Sequence, residues 1–207
     1  MATDIGAGRD ATPAGEHRLT TEVAELFPRQ REWTEDLYFQ LPDSPRIVEL
    51  SERQLIIPPH PTHTHQRIVA RLFVPLNSLV EARQLGVARF SALPVRLWPG
   101  KIREPDILFL LREHADRIHE QYWEVPDLAI EVISPNTGKT DREDKFLEYA
   151  QAGIQEYWLV DPEAEAIEVY ALRNQAYELF CKAGKAETAC SWLLEGFRVQ
   201  VDEVFAK

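Results

Sequence analysis

The stretch DLAIEVISPNTGKTDREDKF, residues 127–146, decides the fold. It opens with DLAIEVI, an apolar run that fits a central strand. Residues 140–143, TDRE, match a capping box, with Thr140 as N-cap and Glu143 as reciprocal partner. Phe146, Tyr149 and Ala150 supply that helix with an apolar stripe, and Gly153 ends it. Two charges interrupt the pattern. Glu131 stands in the middle of the apolar strand, and Lys145 stands on the helix that follows.

Outward from this stretch the chain alternates helices and strands irregularly. LTTEVAELFPRQREWTEDLYFQLP reads as two short helical pieces split near Pro28. SPRIVELSERQLIIPP predicts strands at about 46–50 and 54–57 joined by a turn at residues 51–53. From Thr62 to about Ala82, Ile68, Val69, Leu72, Phe73, Leu76, Leu79 and Val80 fall at helix spacing, with Thr62 as N-cap. Pro75 predicts a kink or an early end. GVARFSALPVRLWPG reads as one bent strand or two, and PDILFLL (105–111) as another. EYWLVDPEAEAIEVYAL predicts a hairpin turning at Asp161–Pro162. Strands near 176–181 and 186–192 are expected to extend the sheet, and VDEVFA closes the chain as a helix. The order predicts a mixed α/β layer architecture with helices packed on a central sheet. No glycine-rich phosphate loop is present. At 207 residues the chain fits one domain, residues 18–207, after a disordered arm at 1–17.

Composition narrows the function classes. A net charge of −11 argues against non-specific coating of nucleic acid. It leaves room for basic groups confined to one cleft and suits a protein that collects divalent cations. No apolar run reaches the ~20 residues of a membrane span, and residues 1–17 lack the apolar core of a secretory signal. Two cysteines, Cys181 and Cys190, make no metal spacing and no disulfide framework, and read as reduced thiols of a cytoplasmic protein.

A carboxylate in an apolar strand is costly unless something pairs with it. Glu131 shares a face with Ala129 and Ile133. Asp106 opens the neighbouring strand candidate and needs the same kind of partner. Two carboxylates brought together repel, unless a cation sits between them, and Mg²⁺ suits a site of one or two carboxylates. Lys145 lies about 100° round the helix from Phe146, at the edge of the buried stripe, where its stem can reach Glu131. Structural readings stand beside these. Asp106 can cap a strand end, Glu131 can sit in a buried ion pair, and Lys145 can be a solvated residue paired with Asp141 or Glu148. His60, His63 and His65 lie at a loop-to-helix junction without a His-Glu-x-x-His pattern, which is poor support for a zinc site.

EPDILFLL, PDLAIEVISPNT and DREDKFLEYAQAGIQEYWLVDP together resemble the Uma-two family of restriction-endonuclease-like proteins, within the PD-(D/E)xK nuclease superfamily. The resemblance extends from about Trp33 to the end of the chain. It implies a restriction-endonuclease-like core with extra C-terminal antiparallel strands. It matches Asp106 and Glu131 to the two acids of the superfamily motif. The usual lysine two residues after the second acid would fall at Ile133; Lys145 on the next helix takes its place. Glu49 matches an acidic position joined to the site, although residues 51–53 lack the glycine that often follows it. His65 coincides with a family histidine. The implied activity is a Mg²⁺-dependent endonuclease cutting DNA, with Mn²⁺ as a substitute, Asp106 and Glu131 as metal ligands, and Lys145 and Glu49 in the catalytic group. A homodimer is expected, since paired nucleases cut duplexes and two-fold symmetry is the commonest arrangement. The alternatives are a catalytically silent nuclease-fold module or a small nucleotide phosphodiesterase.

Overall fold

The computed structural model describes residues 28–42, 46–134 and 138–207. The arm at 1–17 and the helical piece expected before Pro28 lie outside the described residues.

A short helix, α1 (Glu35–Tyr38), is capped by Thr34. Strands β1 (Glu49–Ser51) and β2 (Gln54–Ile56) form a tight hairpin with Ser51 opposite Gln54. Its two turn residues, Glu52 and Arg53, both have positive φ, 49° and 60°. Such turns favour Asn-Gly, so left-handed backbone is adopted here without a glycine. Glu49 is nonetheless buried where its strand was expected.

The long helix α2 (His63–Arg83) starts on Thr62, whose Oγ1 accepts the His65 N–H at 3.2 Å. The kink or stop expected at Pro75 does not end it, and α2 runs 21 residues through the proline. Pro75 faces solvent, while Leu72, Leu76 and Val80 are buried on either side of it. Tertiary packing on both flanks outweighs the lost hydrogen bond.

GVARFSALPVRLWPG resolves into β3 (Gly86–Phe90) and β4 (Val95–Trp98) in different sheets. The strand β5 (Lys101–Arg103), which the sequence reading did not separate, pairs with β4 and β1. Then come β6 (Ile107–Leu111), β7 (Leu128–Val132), α3 (Lys145–Ala152), β8 (Glu156–Asp161), β9 (Ala166–Arg173), β10 (Ala176–Ala183), β11 (Thr188–Cys190), β12 (Arg198–Gln200) and α4 (Val201–Phe205).

Six strands form a mixed sheet in the order β10-β9-β8-β7-β6-β3. Only the β7–β8 pair in it is parallel. A parallel pair needs a crossover, and α3 supplies it. Four strands form a second sheet, β2-β1-β5-β4. The expectation that the 186–192 segment extends the main sheet is corrected: β11 pairs with β12 in a separate two-stranded sheet. The hairpin at Asp161 forms as expected, with Asp161 Oδ1 accepting the N–H groups of Glu163 and Ala164 at 3.0 Å each.

Strand alternation sorts the core. Leu128, Ile130 and Val132 of β7 face α2 and α4, together with Ile107, Phe109, Trp158 and Val160. Ala129 faces the other way, toward Tyr149 of α3, with Leu108, Tyr157 and Leu159. A third cluster of Trp33, Tyr38, Leu50 and Ile102 covers the four-stranded sheet. Glu131 therefore emerges on the α3 face, at the carboxyl end of β7. Among the described residues, no helix is long and apolar enough to cross a membrane.

Candidate active site

A cavity of about 320 Å³ opens at the carboxyl end of β7, between α2, α3 and the four-stranded sheet. Ligands of open α/β sheets bind at this end of the strands. Glu49, Glu104, Asp106, Glu131 and Asp141 line it, and Lys145 is the one permanent cation among its lining residues.

Asp106 immediately precedes β6. Its Oδ2 accepts the Val132 N–H at 2.8 Å and lies 3.1 Å from His65 Nε2. An ionised carboxylate only accepts hydrogen bonds, so Nε2 carries the proton. Burial alone would depress the His65 imidazole, but the bond to Asp106 outweighs it and the pKa is raised.

Glu131 Oε1 accepts two bonds, from Lys145 Nζ at 2.8 Å and from the Tyr149 hydroxyl at 2.7 Å. Lys145 is 7% exposed, so its ammonium does not point into bulk solvent. Asp141 Oδ1 lies 3.3 Å from it and Glu49 Oε1 lies 3.5 Å from it. Glu49 Oε2 in turn takes Arg103 Nη1 at 2.7 Å. Arg103 holds Glu148 through Nε at 2.7 Å and Nη2 at 2.9 Å, and Lys101 reaches the same carboxylate at 2.8 Å. A buried ladder of alternating charge thus runs from β5 through Glu49 and Glu148 to Lys145 and Glu131.

Local backbone geometry sets the lysine. The capping box expected at Thr140–Glu143 does not form. Residues 138–139 are already helical, and Thr140–Asp144 is a π-helical turn without a side-chain cap. The Lys145 N–H bonds to the Thr140 carbonyl, five residues back. The Asp141 carbonyl accepts the Tyr157 hydroxyl at 3.0 Å. Single π turns recur at functional sites because they re-aim side chains. Asp141 and Lys145, four residues apart, meet across it, as such pairs do on a regular helix.

The electrostatics are unbalanced. Burial holds Glu131 up, to about 8; Lys145 pulls it down, while Asp141 and Asp106 push it further up. Burial, with the charge of Glu49, likewise pushes Glu104 up to about 7. Burial works against the charge of Lys145, but Glu131, Glu49 and Asp141 overcome it and keep the ammonium protonated. The Glu104 Oε2 is buried without a hydrogen-bond partner.

These residues fit a divalent cation. The protein contacts of Asp106 fall on Oδ2 and those of Glu131 on Oε1. Asp106 Oδ1 and Glu131 Oε2 make no hydrogen bond among the described residues. Hard oxygen donors in excess over cations suit Mg²⁺, which needs only one or two carboxylates because it keeps several waters. Among the described residues, no group of three or more His, Cys, Asp or Glu is gathered to hold a metal ion.

Asp106, Glu131, Lys145 and Glu49 thus line one cavity. Of the histidines, His65 pairs with Asp106, His60 lines the cavity wall, and His63 does not line it. Asp141, weighed from sequence only as a surface partner of Lys145, is 1% exposed and belongs to the cluster. Arg103, Glu104 and Tyr149 were missed as site members. Glu104 had a signal, since it directly precedes Pro105–Asp106. Arg103 had none, because nothing in the triplet KIR marks a buried strand.

No curated protein matches the chain. The crystal structure of a putative nuclease belonging to DUF820 from Anabaena variabilis ATCC 29413 superposes with a TM-score of 0.70 at 22% identity. The match covers 84% of this chain and 97% of that one, and it establishes a shared fold. The family model described as "Uma2: Putative restriction endonuclease" matches residues 35–202, which spans all three sheets and every residue of the cavity. By that match, which supports a nuclease-like function, the chain belongs to the Uma2 family.

Proposed function

We propose that this chain is a divalent-metal-dependent endonuclease that hydrolyses phosphodiester bonds in DNA. One observation carries the reading: two buried carboxylates, each with one oxygen unspent, share a cavity with a single protonated lysine and a surplus of acids. Asp106 and Glu131 would hold Mg²⁺, with Mn²⁺ substituting. When bound, the ion lowers the pKa of a coordinated water and shields phosphate charge.

The remaining work falls to the chain's own side chains. The Val132 N–H and His65 fix the Asp106 carboxylate in one orientation. Tyr149 and Lys145 do the same for Glu131. The Lys145 ammonium is a fixed donor beside the reacting position. It orients the attacking water and offsets charge that develops on phosphate oxygens. Glu49, clamped by Arg103, shares that ammonium and keeps it from collapsing onto Glu131 alone. The family description and the nuclease title of the similar structure support nucleic acid as the substrate.

The test uses supercoiled plasmid with Mg²⁺ or Mn²⁺, the wild type, Lys145→Met and Asp106→Asn. The wild type is expected to nick DNA and both variants to lose nicking. Equal nicking by all three removes the assignment. Calorimetric titration with Mn²⁺ should find a site that Asp106→Asn abolishes. Metal binding with cleavage confined to dinucleotides would favour the small phosphodiesterase, and neither metal binding nor cleavage would leave a silent module.

A further inference from the structure

Three arginines gather along a groove away from the cavity. Arg67 and Arg71 of α2 face Arg198 of β12 across a space of about 720 Å³. Ala70 and Val74 add an apolar lining, and Glu203 is the only acid among the lining residues. The chain carries 34 acids against 23 lysines and arginines, so an arginine without a carboxylate partner is unexpected. Yet among the described residues none of these three is ion-paired to an acid. The Nη1 of Arg71 donates to the backbone carbonyls of Val204 and Ala206. Among the described residues neither Arg67 nor Arg198 makes an ion pair, and Arg67 Nε is buried without an acceptor there.

Like charges held together without counter-charges repel, and an external anion relieves that repulsion. Guanidinium groups pair with phosphate in a forked geometry and also lie against apolar surface. Arg67 and Arg71 are one helical turn apart, about 6 Å along the axis. That spacing lets them meet different phosphates of a strand whose charges recur every ~3.4 Å of helix axis. Arg67 follows His65 by two residues, roughly 200° round α2. The groove is therefore a surface of its own and not an arm of the cavity.

We propose that this groove binds the sugar–phosphate backbone of a nucleic acid at a distance from the bond being cut. The inference extends the nucleic-acid half of the proposed function and does not depend on its catalytic half. It also places basic groups on one restricted face of an acidic protein.

The experiment measures anisotropy of a labelled 20-base-pair duplex with the full chain over a salt series. EDTA is present, so neither metal binding nor cleavage enters. The pair Arg67→Ala with Arg198→Ala should weaken binding about 10-fold at low salt and lower the log–log salt slope by about 2. The pair Arg67→Lys with Arg198→Lys should keep the slope, which separates lost charge from lost folding. An alanine pair with wild-type affinity and slope overturns the proposal, as does a wild type that binds no duplex. Displacement of DNA by poly-glutamate at equal charge concentration also overturns it, in favour of an acidic protein partner. If the slope falls as expected while plasmid stays uncut in Mg²⁺, the groove stands and the catalytic reading fails.

Discussion

The two ends of the parallel pair β7–β8 both carry buried carboxylates, and they treat them differently. At the amino end, Asp127 accepts the Leu111 N–H and the Gln155 amide at 2.8 Å each and lies 2.9 Å from His114 Nδ1. Glu156 beside it takes Trp158 Nε1 at 2.5 Å, Ser191 Oγ at 2.7 Å, and the Trp192 and Leu193 N–H groups at 2.6 Å each. Every oxygen there is spent, on three backbone N–H groups and four side-chain groups. At the carboxyl end, Glu131 has one oxygen satisfied by Lys145 and Tyr149 and stands among other acids. A saturated carboxylate ties loops together. An under-neutralised one beside a cavity keeps an oxygen available to a ligand, as the proposed function requires. Burial alone does not separate them, since Asp127 is 1% exposed, Glu156 0% and Glu131 4%.

Exchanging the ends in mutants tests the contrast most severely. Glu131→Gln should cut plasmid cleavage by about 10³-fold or more, the scale of losing a charge-stabilising group in an active site, without unfolding the protein. If Glu131→Gln cleaves normally, or unfolds as badly as a change at the other end, the contrast is empty. Glu156→Ala, in turn, leaves four donors without their acceptor. Urea titration should show a loss of roughly 3–5 kcal/mol, with cleavage per folded molecule retained.

Acidity sharpens the contrast further. Glu131 binds its proton more tightly folded than unfolded, because its folded pKa, about 8, lies above the ordinary 4.5. Its contribution to stability is therefore fully present below about pH 4.5 and is lost as pH rises through 8. Glu104 acts in the same direction up to about 7. Without metal, thermal stability should fall between pH 5 and pH 8.5 by on the order of a few kcal/mol. Glu131→Gln should flatten that decline and saturating Mg²⁺ should offset it. A stability that rises over this interval would contradict the charge imbalance. The smallest effect is expected at Tyr149→Phe, which removes one neutral donor. It should cost about 1 kcal/mol and reduce cleavage less than 10-fold, read from denaturation and initial rates.

The legible parts of the site were those that violated a local rule. Glu131 showed itself by breaking an apolar strand, and Asp106 by needing a partner at the mouth of the next one. Lys145 was legible from its place at the stripe's edge, together with the family pattern. Pro75 did not end the helix because propensity is local, whereas Leu72, Leu76 and Val80 are held by the distant strands of the main sheet. Thr140 misled because the capping box has the right letters, yet the chain is already helical two residues earlier. Arg103 and Lys101 were invisible for a related reason. Their burial comes from the four-stranded sheet closing on α3, and three residues carry no periodicity that would announce it.

The widened turn before α3 has a consequence for engineering. It forgoes regular helical bonding directly before Lys145, a local cost beside the candidate site. Substitutions that idealise Thr140–Asp144 into an uninterrupted helix are expected to raise the melting temperature and, under the proposed function, to lower cleavage by turning Lys145 away from Glu131. Thermostabilising designs should leave this irregular loop of backbone alone and look for their gains on the exposed strands.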